Sequence, residues 1–153
     1  NTRQSRLKIS FNAPAVLTFA LACVAVQLLN VLTHGASNRA VFSTYRASLI
    51  NPLTWLRCVT HVLGHVDWNH LLNNMMYLLI LGPMLEEKYG TSNIAFVMLA
   101  TAIATALVNM IFFPNVALLG ASGIVFAMIL LSSITRAEGG AIPVTFILVA
   151  ILL

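Results

Sequence analysis

The sequence predicts an all-α membrane protein with several spans, and three observations support this fold class. The 153 residues are 59% hydrophobic and 8% charged, whereas an ordinary soluble domain has about 25% charged residues. The mean hydropathy is +0.93. The apolar residues are grouped in segments, several of them close to the roughly 20 residues that a helix needs to cross a bilayer. Because no internal repeat or linker interrupts the chain, we predict a single domain over residues 1–153.

The first predicted span covers residues 11–32. No charged side chain occurs from residue 9 to residue 33. The apolar run is too long for the core of a signal peptide and no cleavage site follows it, so we expect it to be retained. The long polar and apolar stretch that follows is predicted to form short helices at the membrane surface, with Tyr45 and Trp55 as interfacial anchors.

Four further spans are predicted, at residues 68–85, 92–113, 117–134 and 141–153. The last has only 13 residues when the sequence stops, which is too few to cross a bilayer. A helix that ended in hydrocarbon would leave its last carbonyls unsatisfied. We therefore expect the chain to be the N-terminal part of a longer protein, cut in its fifth transmembrane helix.

The basic residues predict the orientation of the spans. If the N-terminus is cytoplasmic, five basic residues lie inside and three lie in the outer loop, as the positive-inside rule favours. The inner set is Arg3, Arg6, Lys8, Lys88 and Arg136, and the outer set is Arg39, Arg46 and Arg57. We therefore predict a multi-pass protein of the plasma (inner) membrane. No nucleic-acid partner is expected, because no basic cluster has interleaved aromatic residues.

Polar residues crowd the start of the second span, where residues 60–74 are THVLGHVDWNHLLNN. Polar groups at membrane depth are costly, which favours a functional site. His70 and Asn74 are one turn apart and lie on one helix face. Ser122, in the sequence GASG, begins the fourth span from the same side of the membrane. A nucleophile at a helix start, beside free N–H groups, is typical of acyl-transfer catalysis.

Each of these residues also has a simpler explanation. A serine flanked by glycines could be a packing contact between helices, and a single asparagine could join helices by a hydrogen bond. His61 and His65 could be interfacial residues that satisfy loop carbonyls, or they could ligate a metal with His70 as a third ligand, although no HExxH glutamate is present. The coincidence of His70, Asn74 and Ser122 at one depth favours a common site. We expect no metal and no organic cofactor.

The combined pattern resembles the signature of the rhomboid intramembrane serine proteases. The resemblance extends from about residue 57 to residue 123, and its residues are Arg57, His61, His65, His70, Asn74, Glu86, Gly90 and the GASG sequence of Gly120 to Gly123. It implies a six-helix bundle, of which about five spans are present here. In that family the serine begins a helix at the floor of a water-filled cavity, and a histidine on the sixth helix is its general base.

The resemblance also implies a role for each matching residue. Ser122 is the expected nucleophile, and its backbone N–H with the side chains of His70 and Asn74 is the expected oxyanion hole. Supporting roles are implied for Gly120 and Gly123, which allow close packing around the serine, for His65 and Arg57 as structural or water-retaining residues, for Glu86 at the turn after the second span, and for Phe126, which keeps the ring of the tyrosine found in many relatives.

The expected general base is absent from this chain, because all four histidines precede residue 71. We expect it in the later part of the protein. The implied function is cleavage of transmembrane segments of other membrane proteins, so the expected partners are transmembrane substrates and the lipid bilayer. The alternative is an inactive relative that binds membrane clients without cutting them. Intact serine and oxyanion residues favour the protease.

Overall fold

The computed structural model describes residues 11–137, together with Val144 and Leu148. In this part of the chain the predicted all-α fold is confirmed. The elements are α1 (Pro14–Leu32), α2 (Ala36–Ala40), α3 (Pro52–Thr60), a 3₁₀ turn (His61–Leu63), α4 (Trp68–Tyr89), α5 (Thr91–Phe112) and α6 (Ser122–Ala137). Apart from Val144 and Leu148, the predicted span 141–153 lies outside the described residues.

Helix α4 is the centre of the bundle and packs against α1, α5 and α6. Leu71, Leu78 and Leu85 are fully buried and recur every two turns, so they form one stripe along the helix. The stripe belongs to a core that also includes Val16 of α1 and Ile124 of α6. The N-terminal end of α4 is therefore fixed relative to the start of α6.

By length and composition, α1 and α5 are the two helices in the described part of the chain that are able to cross a membrane, while α6 is apolar but shorter. Helix α4 has 22 residues but is more polar, because it includes His70 and Asn74 near one end and Glu86 near the other. These three side chains are buried or half-buried among the neighbouring helices. These polar side chains of α4 therefore lie against other parts of the protein and not only against lipid or solvent.

The ends of α4 are defined by specific caps. The Asp67 side chain accepts a hydrogen bond from the backbone N–H of His70 at 2.8 Å, as a helix N-cap does. At the other end the helix continues through Pro83 to Tyr89, beyond the predicted end at residue 85, and stops at Gly90, whose φ is +87°. The positive φ at Gly90 is accessible because glycine has no Cβ.

The fourth predicted span began too early, because residues 117–121 are not helical and α6 begins at Ser122. Thr44 and Leu118 exchange two backbone hydrogen bonds of 2.8 Å, which pairs the surface loop with the loop before α6. Gly120 has a φ of +120°, which is incompatible with a helix. Hydropathy did not reveal this break, because Leu118 and its neighbours are apolar in either conformation.

The long loop after α1 contains the short helices α2 and α3. Arg57 is buried, its Nε donates to the carbonyl of Ala40 at 2.8 Å, and its guanidinium lies 4.7 Å from the ring centre of Tyr45. Tyr45 is therefore half-buried beneath Arg57, whereas Trp55 is half exposed, as an interfacial anchor would be. Arg57 thus joins α3 to two earlier parts of the same loop, at Ala40 and at Tyr45.

Glu86 caps a helix other than its own. Its side chain is 3% exposed, and its two carboxylate oxygens accept hydrogen bonds from the backbone N–H groups of Ala15 and Val16, each at 2.9 Å. One of the oxygens also accepts a bond of 2.8 Å from the Thr91 hydroxyl. A carboxylate at a helix N-terminus is favourable, because it satisfies free N–H groups and complements the helix dipole. Glu86 therefore joins α1, α4 and α5.

Replacing Glu86 with alanine should lower the free energy of unfolding by about 2 to 4 kcal/mol, because two N–H groups at the start of α1 lose their acceptor. The matched control is Glu87→Ala, which removes an exposed carboxylate from the same turn and should change stability by less than about 0.5 kcal/mol. Reversible unfolding of the full-length protein in mixed micelles measures both. Equal effects of the two substitutions would contradict the capping role.

Candidate active site

The first turns of α4 present two side-chain N–H donors. His70 is half-buried, and its Nδ1 accepts a hydrogen bond from the backbone N–H of Val66 at 3.4 Å. In the neutral ring this leaves the proton on Nε2, which is then a donor. Asn74 is one turn further along, 7% exposed, and its buried Nδ2 has no hydrogen-bond acceptor among the described residues. A buried donor without an acceptor is rare in folded proteins.

Gly120 packs directly against these two donors. A Cβ atom at Gly120 would lie 2.8 Å from Cε1 and 2.9 Å from Nε2 of His70, and 3.9 Å from Nδ2 of Asn74. With its φ of +120°, the position requires glycine for both space and conformation. Ser122 follows two residues later as the first residue of α6 and is exposed. The structure thus brings His70, Asn74 and Gly120 together immediately before the serine.

Backbone and ring atoms of residues 61–65, the histidine segment, hold the loop that leads into α6. The Gly120 N–H donates to the His61 carbonyl at 2.9 Å, and the Ala121 N–H donates to Nε2 of His65 at 3.4 Å. The first helical bond of α6 runs from the Val125 N–H to the Ala121 carbonyl. The N–H of Ser122 therefore has no acceptor within its helix, as is usual in a first turn.

The hydrogen bonds of His65 require a neutral ring. His65 is fully buried; its Nδ1 pairs with the Leu63 carbonyl at 3.2 Å and its Nε2 accepts from Ala121. Burial, with a smaller contribution from the nearby His70 ring, lowers the pKa of His65 to about 4. Burial also lowers the pKa of His61, whose Nε2 lies 2.9 Å from the Ala102 carbonyl. Both rings are therefore uncharged near neutral pH.

The remaining predicted site residues surround this centre. A Cβ at Gly123 would lie 3.0 Å from the Thr105 side chain, so this glycine sets the close approach of α5 and α6. Phe126 lies one turn after Ser122 and is 40% exposed. The two residues begin an exposed stripe on α6 that consists of Ser122, Phe126, Leu130 and Ile134. The Arg57 side chain packs within the surface loop against Ala40 and Tyr45, and the Arg57 carbonyl accepts the backbone N–H of His61 at the end of α3.

Two residues next to the site were missed in the sequence. Asn38 is buried and its Nδ2 donates to the His65 carbonyl at 2.8 Å, and Thr44 pairs with Leu118. Nothing in the sequence distinguishes an asparagine or threonine of this kind from any other polar loop residue. Over residues 11–137, no group of three His, Cys, Asp or Glu side chains is arranged to hold a metal ion.

The fold and the site together define a helical membrane protein in which a serine begins a helix beside histidine and asparagine donors. Residues 52–153 match the Rhomboid domain family. The chain belongs to the rhomboid family, as its sequence signature predicts, and is an integral membrane protein.

Several curated relatives share this family. Rhomboid-type serine protease 2 of Eremothecium gossypii is 32% identical over 134 residues, covering 82% of this chain and 49% of that protein. Rhomboid protease GluP of Bacillus subtilis is 28% identical over 71% of this chain and 23% of its own length. Rhomboid-like protein 11 of Arabidopsis thaliana, a chloroplastic protein, is 34% identical over 54% of this chain and 30% of its own. The chain therefore spans half or less of the length of these relatives.

Gly120→Ala should destabilise the protein more than Gly90→Ala. Both glycines have positive φ, but a Cβ at Gly90 meets nothing within 4 Å, so that substitution costs only the conformational strain of about 1 to 3 kcal/mol. At Gly120 the new methyl group also collides with the His70 ring, which adds about 1 to 3 kcal/mol.

A double substitution tests the origin of that difference. In a His70→Ala background the collision is gone, so the cost of Gly120→Ala should fall to that of Gly90→Ala when unfolding is measured in the same micelles. A Gly120→Ala penalty that is unchanged by loss of the His70 ring would contradict the contact between these two residues.

Proposed function

We propose that the full-length protein is an intramembrane serine endopeptidase that cleaves transmembrane segments of other membrane proteins, with Ser122 as the nucleophile. The observation that carries the proposal is the buried Nδ2 of Asn74, which has no acceptor in the part of the chain that the structure describes and lies with His70 against Gly120, just before the serine. Unpaired donors of this kind are suited to bind an oxyanion that forms only during reaction. Membership in a family that includes named serine proteases supports the same chemistry.

The proposed reaction is acyl transfer. The Ser122 hydroxyl adds to the carbonyl carbon of the scissile peptide bond and gives its proton to a general base. The carbonyl oxygen becomes an oxyanion that accepts hydrogen bonds from the Ser122 N–H, the Nε2–H of His70 and the Nδ2–H of Asn74. The proton then passes to the leaving amine as the C–N bond breaks. Water hydrolyses the resulting ester and restores the serine.

The general base is proposed to be a histidine in a later helix, as the resemblance to the rhomboid protease signature implies. His65 is unsuited to this role because its Nε2 is engaged by the Ala121 N–H and its pKa is about 4, so it is a weak base near neutral pH. His61 is held at the Ala102 carbonyl. The exposed stripe of α6, which begins with Ser122 and Phe126, is the face on which we expect the helix with the base.

The proposed orientation follows from the basic residues. A cytoplasmic N-terminus places the start of α6 and the histidine segment near the outer surface of the plasma membrane, where water is available for hydrolysis. Substrate spans would have to unwind near their outer ends to expose a peptide bond, so segments weak in helix propensity are the expected substrates. No metal or organic cofactor has a place in this mechanism.

The oxyanion assignment predicts separate effects of three substitutions on cleavage of a model transmembrane substrate by the full-length protein in liposomes. Ser122→Ala should abolish cleavage and labelling by a fluorophosphonate. His70→Ala and Asn74→Ala should each lower kcat by about 10²- to 10³-fold with little change in KM, because each removes one donor that acts mainly in the transition state.

The matched control is Asn73→Ala, which removes an exposed asparagine from the same turn of α4 and should leave kcat unchanged. If the two site variants lost stability but kept normal rates per folded molecule, His70 and Asn74 would be packing residues. A wild-type protein that binds transmembrane clients without cutting them would instead be an inactive member of the family.

A further inference from the structure

Residues 38–44, which we call the strap, cross over the histidine segment. At one end the Nδ2 of Asn38 donates to the His65 carbonyl at 2.8 Å. In the middle, Phe42 approaches Gly64 so closely that a Cβ there would lie 2.3 Å from the Phe42 carbonyl oxygen. At the other end, Thr44 pairs with Leu118 through two hydrogen bonds. The strap therefore contacts the histidine segment and the loop before α6.

His65 transmits the position of Asn38 to the start of α6. Its backbone carbonyl accepts the Asn38 bond, and its Nε2 accepts the N–H of Ala121, the residue before Ser122. Asn38 and His65 are 7% and 0% exposed, so water has little access to replace either bond. Asn38 is thus linked to Ser122 through its hydrogen bond to the His65 carbonyl, the His65 side chain, the hydrogen bond from the Ala121 N–H and one peptide bond.

We propose that Asn38 is a positioning residue for Ser122: by holding the His65 carbonyl, it keeps Nε2 of His65 on the Ala121 N–H and fixes the first turn of α6. Its effect on catalysis rests on the proposed protease function. Asn38 does not touch the reacting atoms. Its loss lets the serine and its N–H shift relative to His70 and Asn74, and misplacement of about 1 Å at a reacting centre can cost about 10²-fold in rate.

The test uses Asn38→Leu, which keeps the size of the side chain and removes the donor. The control is Asn109→Leu. Asn109 is equally buried, at 5% exposure, and its Nδ2 donates to the Val116 carbonyl at 2.9 Å. Asn109→Leu therefore removes a side-chain hydrogen bond of the same type, which ends in the loop between α5 and α6 and does not involve His65. Both variants of the full-length protein are compared by hydrogen exchange and by steady-state cleavage in liposomes.

We expect Asn38→Leu to accelerate exchange of the Ala121 amide by about 10-fold and to lower kcat by about 10- to 100-fold with KM nearly unchanged. Asn109→Leu should lower the melting temperature about as much as Asn38→Leu does, but leave the exchange rate of the Ala121 amide and kcat close to wild type. In a His65→Ala background, where the acceptor for Ala121 is already missing, Asn38→Leu should have no further effect on either quantity.

Three results would overturn the proposal. These are unchanged exchange of the Ala121 amide in Asn38→Leu, equal losses of kcat in Asn38→Leu and Asn109→Leu, and full additivity of Asn38→Leu with His65→Ala. Failure of the wild-type protein to cleave any substrate would contradict the proposed function, and the exchange comparison would still decide whether Asn38 fixes the start of α6.

Discussion

The close contact between Gly120 and the donors on α4 is the constraint on which the rest of the site depends. It requires a backbone without a Cβ, because any other side chain would collide with His70. It also requires that the chain leave the helical conformation just before Ser122, which the φ of +120° at Gly120 accomplishes. The hydrogen bonds to the His61 carbonyl and to His65 Nε2 then hold that irregular backbone in place. Buried irregular backbone is tolerated only with such partners.

The same constraint explains the character of α4. A helix that places His70 and Asn74 beside a buried loop cannot be uniformly apolar, and burial of unpaired polar groups is costly. The cost is offset at both ends of the helix. Asp67 caps its N-terminal end, and Glu86 near its C-terminal end satisfies two N–H groups of α1. The leucine stripe between these ends supplies the apolar contacts to the neighbouring helices.

Sequence reasoning predicted the fold class well, because composition and span length depend only on the average chemistry of a segment. It failed at the start of α6, where Leu118 is apolar whether it lies in a helix or pairs with Thr44. The proximity of His70, Asn74 and Ser122 was predicted from helical spacing and span direction. The contacts of Asn38 and Thr44 were not predictable, because they join residues far apart in the sequence and leave no local pattern. The neutral state of His65 likewise depends on burial and on the Ala121 N–H, which only the folded chain supplies.

The central claim is that the donors around Gly120 form an oxyanion site for a group attached to Ser122. The most direct test is a structure of the full-length protein after reaction with a fluorophosphonate, in which the phosphoryl oxygen of the adduct stands in for the oxyanion. The account predicts an adduct on Ser122 whose phosphoryl oxygen lies at about 2.7 to 3.1 Å from Asn74 Nδ2 and from His70 Nε2. An adduct whose phosphoryl oxygen points away from both side chains, with Asn74 Nδ2 still lacking an acceptor, would contradict it.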